Sequence, residues 1–525
     1  MADGERAASM RLVVVASALG TMFEWYDFFV YGTLAGIIGS HFFPAGNETV
    51  SLLIALATFG VGFGMRPIGA ALFGVLGDRL GRKYTFLATV VLMGGSTAAI
   101  GLLPTYATIG IAAPAILVLL RIGQGLALGG EYGGAAVYVA EYAPAHRRGL
   151  YTSFIHAGVA GGFLLSLAVV LAANAYVAPA AWTEWGWRLP FLFSTVLLAV
   201  SLWVRMLLHE SPVFRTMQAE GRVAGNPLRE SFDSRAKALR ILAVLGVAAG
   251  MTVLFYSAQI QSLYFLQNTV RIADTPARLI VGLAAASSMI WYVLFGWLSD
   301  HVGRKPPIVV GYVLAILCIF PLHRQMAEDG NPVLAAARAR APVIVTGSDC
   351  RYDPFASHGQ ATPCARILDS LSKRGVAYTK ASAAPGVPPS VTIGGHPVLA
   401  LDDASLASAL AGAGYPPDKV VPDYGAAIRV ALAIMGLALF SGMTFGPLAA
   451  WLVELFPARV RYTSLSIPYN VGTGYFGGFL PFIVQYAVAR TGDPFAGLWY
   501  VVAVAILSLI VSAATLPETA GRELE

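Results

Sequence analysis

Apolar residues along this chain fall in long runs, with no regular alternation, and short polar connections separate the runs. Twelve runs can be counted, at 12–38, 52–76, 85–103, 108–140, 150–175, 188–208, 239–266, 277–298, 306–322, 424–453, 464–488 and 496–516. A helix needs about 20 apolar residues to cross a hydrocarbon core of about 30 Å. Inside lipid the backbone must satisfy its own hydrogen bonds, and runs this long do so as helices, not as barrel strands. The pattern predicts an all-α membrane protein of twelve transmembrane helices. The first run begins at Leu12, where a secretory leader would lie. It lacks a strongly basic start and continues past Gly20, so it reads as an uncleaved first span.

The polar connections repeat. GVLGDRLGRK follows span two from Gly74 to Lys83, and GWLSDHVGRK follows span eight from Gly296 to Lys305. Glycines, acid and terminal basic pair recur with an offset of 222 residues between Asp78 and Asp300, which divides the chain into two related six-helix bundles. A second repeat, EYAPAHRRG from Glu141 and ELFPARVRY from Glu454, has an offset of 313, an excess of 91 residues. That excess fits the polar stretch 323–423 between spans nine and ten. Within it β-branched runs (PVIVTG from Pro342, VTIGGHPVLAL from Val391) alternate with helix-like segments, as in a small α/β module. The expected organisation is an N-terminal bundle at 1–208, a linker at 209–238 and a C-terminal bundle at 239–525, with the insertion at 323–423 inside the latter.

Composition narrows the class. Only 12% of the residues are charged and the mean hydropathy is +0.67, whereas soluble domains carry about a quarter charged residues. The net charge of +6 does not gather into the basic face that nucleic-acid binding requires. The positives lie between spans: Arg79, Arg82 and Lys83, then Arg147 and Arg148, Arg304 and Lys305, Arg459 and Arg461. The opposite connections at 39–51, 104–107 and 176–187 have no Lys or Arg, so the positive-inside rule places both termini in the cytoplasm and the insertion outside. There Cys350 and Cys364 lie close in sequence, and an oxidising periplasm permits them a disulfide. Cys318, inside span nine, reads as a packing residue.

The duplicated G-x-L-x-D-x-x-G-R-K loops resemble the signature of the major facilitator superfamily. FEWYDFFVYG from Phe23, RPIGA from Arg66, RIGQGLALGGEYGGA from Arg121, ESPVF from Glu210 and LPET from Leu516 are similar to its metabolite:proton symporter branch. That branch includes permeases for α-ketoglutarate, citrate, shikimate, and proline or betaine. The resemblance covers both halves but not the insertion. It implies two bundles that rock about a central cavity, and proton-coupled uptake of a small polar metabolite.

Charges inside spans cost about 2.5–3.5 kcal/mol each on insertion scales, so each is a functional candidate. Glu24 and Asp27 lie three residues apart in span one, Arg66 in span two, Arg121 and Glu131 in span four. A carboxylate opposite an arginine can exchange a proton as its partner moves. The expectation is that Asp27 or Glu24 pairs with Arg121, which is followed by Gln124 and Gly125 and matches the arginine that the resemblance assigns to proton coupling. The competing reading is that these groups neutralise one another and lock spans one, two and four together. Arg66, near the cytoplasmic edge, is also able to snorkel. Candidate substrate contacts are Gln124, His156, Tyr256, Gln259, Gln261, Tyr264, Tyr292, Tyr469 and Asn470, each also readable as packing. Glycines 123, 125, 129, 130, 133 and 134 of span four are expected to pack the moving faces. Asp78, Arg82, Glu141, Asp300, Arg304 and Glu454 form the expected cytoplasmic gate, with Arg82 bridging to Glu141 and Arg304 to Glu454. His301 stands where the resemblance implies an arginine, which weakens the second loop's match.

No phosphate loop or metal-ligand spacing occurs in the sequence, so an enzyme is not expected, nor a cofactor beyond the proton as coupling ion. The expected partners are a small-molecule substrate and the bilayer, with no nucleic acid; protein partners are left open. An organic acid is the first choice of cargo, a zwitterion such as betaine the second. A proton-driven exporter of the same fold and a membrane sensor using the outward module are the alternatives. FEWYD and ESPVF argue against the first, and the short tail and linker against the second.

Overall fold

The computed structural model describes residues 2–43, 48–80, 82–206, 220, 227–231, 234–353, 356, 360–458 and 460–524. At 2–9, 48, 49, 77–80, 82–84, 86, 227 and 236 it describes the backbone without the side chains. Among the described residues ten helices are long and apolar enough to cross a membrane. They are Met10–Thr33, Val50–Leu76, Ala112–Tyr142, Ala145–Tyr176, Gly186–Met206, Lys237–Thr269, Asp274–Val302, Lys305–Gly330, Tyr424–Glu454 and Leu498–Thr515, the predicted spans one, two, four to ten and twelve.

Span three is the helix Arg82–Leu102, whose described side chains from Leu87 to Leu102 form an apolar stretch. Span eleven is interrupted. Arg461–Val471 contains Pro468, which cannot donate to the helix ladder; a widened π turn follows at Gly472–Gly477, and the helix resumes at Leu480–Thr491. Span nine runs to Gly330, past the predicted limit at 322. His323 is fully buried there and its Nδ1 lies 2.8 Å from the Ile319 carbonyl, so a polar residue continues the helix.

Span two crosses span four at backbone contact. A side chain at Gly125 would strike the Gly62 carbonyl, and one at Gly129 the Arg66 carbonyl. These glycines therefore close a crossing inside the N-terminal half, not a moving face as expected; Gly130 likewise meets Phe73 of span two and Gly123 meets Ser96 of span three. Gly133 faces the other half, against Ser466 of span eleven. The halves meet where span five packs along span eight and span two against span eleven. At the first of these contacts a Cβ on Gly149 would lie 2.5 Å from the Gly296 carbonyl.

The insertion has its own core, with Val343, Val345, Leu368, Leu371, Val391 and Leu410 at its centre. Its sheet runs β1 (Val343–Gly347), β2 (Tyr378–Ser382), β3 (Ser390–Ile393) and β4 (His396–Pro397), in the order β2-β1-β3-β4. β1 pairs parallel with β2 and antiparallel with β3. Helices Pro332–Arg340, Pro363–Lys373 and Asp403–Gly412 complete the module, the last two capped by Thr362 and Asp402. Arg374 and Ser370 grip Asp403 and hold its carboxyl down to about 2, so this tie between helices stays ionised. Cys350 and Cys364 are joined as a disulfide, Cα to Cα 4.9 Å.

Candidate functional site

A cavity lies midway along the spans, between the two halves. Trp25, Arg66 and His156 reach it from spans one, two and five; Tyr256, Tyr292 and Tyr469 reach it from spans seven, eight and eleven. It leaves about 10 Å³ for the centre of a water-sized sphere, on the order of one water molecule, so the halves are closed around it. Span seven lines it just before a π turn, Ser257–Gln261, and span eleven lines it with Thr473 from another. Such widened turns recur at functional sites because they re-aim side chains.

Arg66 is the charge in this cavity. It is 1% exposed, so it does not snorkel to the edge; it lies sixteen residues into the 27-residue helix Val50–Leu76, too deep for its stem to reach water. Its guanidinium sits among rings, 5.5 Å from Trp25, 5.4 Å from Phe63 and 5.8 Å from Tyr469. Among the described residues no carboxylate pairs with it, and its Nε and one terminal nitrogen have no hydrogen-bond partner. Tyr469 is stacked on Tyr132 at 4.0 Å, and the Tyr132 hydroxyl is 2.8 Å from His156 Nε2. Arg66, His156, Tyr256, Tyr292 and Tyr469 thus converge, with Gln259 buried beside Tyr292.

The other candidates lie elsewhere. Tyr264 donates to the Gly32 carbonyl at 2.5 Å, closing span seven on span one. Asn470 donates to the Gly129 and Ser466 carbonyls, a packing contact of spans four and eleven. Gln124 accepts from Arg121 at 2.6 Å and donates to Thr97 at 2.7 Å, so it orients Arg121 and is not among the described residues that line the central cavity.

The expected pairing of Asp27 or Glu24 with Arg121 does not form. Arg121 is fully buried against Phe28 and Tyr31 and donates to Gln124 and to the Phe59 carbonyl. Asp27 instead accepts from Ser194, and Glu24 from Arg205, both on span six. Arg205 also donates to Glu131, so one guanidinium joins carboxylates from spans one and four. Glu24 and Glu131 are 3% and 5% exposed. Sequence reasoning passed over Arg205 because it closes span six, where a basic residue reads as an edge charge.

At the face of the duplicated loops the halves are fastened. Asp300 accepts from the Gly149 and Leu150 amides at 2.8 Å each, at the start of span five, and from Arg304 at 2.7 Å. A carboxylate at a helix N-terminus satisfies free amides and favours the dipole. Arg304 reaches Glu454 as expected, at 3.0 Å, and Arg148 of the other half reaches the same carboxylate at 3.0 Å. Glu141 pairs with Arg461 at 3.5 Å. Arg148 and Arg461 are separated by the same 313 residues as Glu141 and Glu454, so the repeat offset held the signal for this symmetric pair of ion pairs. Asp78 and Arg82 fall where side chains lie outside the described residues. His301 bonds the Trp297 carbonyl, and the Asp300 contacts form without it. Glu518, in LPET, accepts from the Arg304 and Lys305 amides beside Gly303, whose φ of +97° and lack of a Cβ admit it.

Glu454→Gln removes the charge that Arg148 and Arg304 share. Breaking such a buried pair costs about 3–5 kcal/mol, all of it from the state closed at this face. Maleimide labelling of a Ser153→Cys probe, buried between spans five and eight, is expected to rise at least about tenfold. Unchanged labelling would show that the pair does not hold the face shut.

Two bundles closed over a central polar cavity and fastened through Asp300 and the Arg148–Glu454 and Glu141–Arg461 ion pairs have the architecture of a transporter. The sequence profile of the sugar (and other) transporter family matches residues 12–239 and 406–525. The inner membrane metabolite transport protein YhjE of Escherichia coli is 33% identical over 504 residues, 96% of this chain and 93% of its own. The alpha-ketoglutarate permease of Escherichia coli is 37% identical over 335 residues, 63% of this chain and 76% of its own. The solved structure of the major facilitator superfamily proton:xylose symporter XylE, from E. coli, superposes with a TM-score of 0.64 at 18% identity, covering 99% of this chain and 98% of that one. The chain belongs to the sugar (and other) transporter family of the major facilitator superfamily, and is a multi-pass membrane transporter.

Proposed function

We propose that this protein imports a small carboxylate across the inner membrane together with protons, by alternating access of the central cavity. The observation that carries the cargo is Arg66, a buried guanidinium with no acidic partner among the described residues, facing a cavity that both halves line. A guanidinium matches a carboxylate at two points, and an anion bound there compensates the buried charge in a way no water can. The names of the relatives, a metabolite transporter and a keto-acid permease, support the class.

Proton coupling is supported by the Glu24–Arg205–Glu131 cluster. Two buried carboxylates share one guanidinium, so the cluster carries one negative charge in excess, and a proton bound to either acid removes it. The positive loops support a cytoplasmic position for the fastened face and both termini, and hence an outer position for the module. The rings around Arg66 favour a second reading, a zwitterion whose carboxylate meets Arg66 while a methylated ammonium lies on Trp25, Tyr256 or Tyr469.

The test is uptake of labelled organic acids and methylated zwitterions into proteoliposomes with and without an inward proton gradient. The expected result is accumulation of a carboxylate only when the gradient is imposed. Equilibration indifferent to pH would discard coupling, and accumulation of a zwitterion alone would decide for the second reading.

A further inference from the structure

The insertion is not a free appendage. Arg271, between spans seven and eight, takes a left-handed φ of 62°, which an L side chain adopts at a cost. Its guanidinium donates to the Arg374, Pro416 and Pro417 carbonyls of the module. Arg338 of the module donates to the Thr269 and Gly375 carbonyls, and Lys380 to the Arg490 carbonyl at the end of span eleven. Val420 exchanges backbone hydrogen bonds with Arg271 and Ala273. These ties join the module to the C-terminal half, and its helix Pro363–Lys373 touches the start of span two in the N-terminal half.

Under this roof lies a cavity of about 710 Å³, far roomier than the central one. The N-terminal half contributes Ser40 and Leu52, span seven Gln267, span eleven Gln485, and the module Lys373 and Lys419. It stands over spans one, two, seven and eleven, which also line the central cavity, and the Tyr264–Gly32 contact closes the way between the two.

The walls are basic. Arg271, Arg338, Lys373 and Lys419 line the cavity, and among the described residues no Asp or Glu does. Arg271 and Arg338 spend their hydrogen bonds on carbonyls, which leave the positive charge in place; Asp418 offsets part of that of Arg271. Lys373 and Lys419 pair with Asp369 and Asp274, and both lysines are themselves exposed, at 41% and 42%, where pairing is weak. Gln485 is 8% exposed and its amide nitrogen has no hydrogen-bond partner among the described residues, a donor left for a ligand.

We propose that the insertion turns the outer mouth of the transporter into an anion-binding antechamber, where a small carboxylate is held under the module before the span one–span seven closure opens. The carboxylate class rests on the reading of the central cavity; the antechamber's affinity for anions rests on its own walls.

The test uses the full chain with Cys318→Ser and a single probe cysteine at Ser40, labelled from the module face by an anionic (sulfonate) and a cationic (trimethylammonium) thiosulfonate. Tyr176→Cys, exposed at the far end of span five, is the control. The anionic reagent is expected to be favoured at position 40 by about tenfold relative to the control, since a basic cleft concentrates anions. Lys373→Gln with Lys419→Gln should remove most of that preference. In an Arg66→Ala background, millimolar 2-oxoglutarate or citrate should slow labelling at position 40 and leave position 176 unchanged. Equal charge preference at both positions, or no protection by either acid, overturns the antechamber even if uptake is proton-driven. Conversely, a wild type that moves no carboxylate while both labelling results appear sinks only the reading of the central cavity.

Discussion

Arg66→Ala is expected to abolish uptake while leaving the protein folded. The guanidinium is buried, faces the cavity and has no carboxylate partner among the described residues, so its removal takes away the group proposed to meet the cargo and orphans no internal charge. Losing a desolvated charge partner costs about 2–5 kcal/mol of binding, a factor of about thirty or more. Uptake at subsaturating substrate should fall by that factor, and thermal stability in detergent should hold or rise, because an uncompensated buried charge has been deleted. Arg66→Lys separates this from a loose requirement for positive charge. Lysine keeps the charge but not the planar fork, so the expected result is partial uptake with a raised KM. If Arg66→Ala transported normally, or if it unfolded and an apolar isostere such as Arg66→Met restored both stability and uptake, the arginine would be a packing element and the carboxylate reading would fall.

The architecture was legible because membrane insertion writes it in composition. Each span must be apolar, so the runs gave ten helices directly, and the two repeats gave the halves and the size of the insertion. What failed was partnership. Glu24 and Asp27 do share a face of span one, as their spacing implies, but that face meets span six, and neither acid reaches Arg121. Periodicity says which side chains point together and is silent on which helix they point to. The depth of Arg66 was misjudged for a related reason: span limits carry no marker in a long apolar run, and a few residues of error move a side chain from the interface to the centre. Arg205 shows the same fault reversed, since a basic residue at a predicted end looks like an edge charge until the acids that surround it are seen. The cavity under the module was beyond sequence altogether, because its walls come from seven separated segments.

The second large effect is expected at the Glu24–Arg205–Glu131 cluster. Spans one, four and six meet here through a single guanidinium with a carboxylate on either side. One acid is neutralised by Arg205; the other leaves a net negative charge out of water, costly enough that a proton or a rearrangement of the spans must answer for it. In the proposed mechanism proton occupancy biases how the three spans sit, and that bias couples the proton to the closure of the cavity. Glu131→Gln makes the cluster neutral without a proton. Accumulation driven by a proton gradient should disappear, and the pH dependence of initial uptake should flatten. Exchange of labelled for unlabelled substrate, which moves no net protons, should stay within about threefold of wild type, a change of under 1 kcal/mol. Glu24→Gln should behave alike, since either acid can be the one left over. Arg205→Ala is the opposite case: it leaves two carboxylates buried together and should cost about 3–5 kcal/mol of stability, partly restored by adding Glu24→Gln. Full gradient-driven accumulation by both glutamine variants would exclude the cluster from coupling and leave Asp27, hydrogen-bonded to Ser194, as the group to test by Asp27→Asn in the same assay.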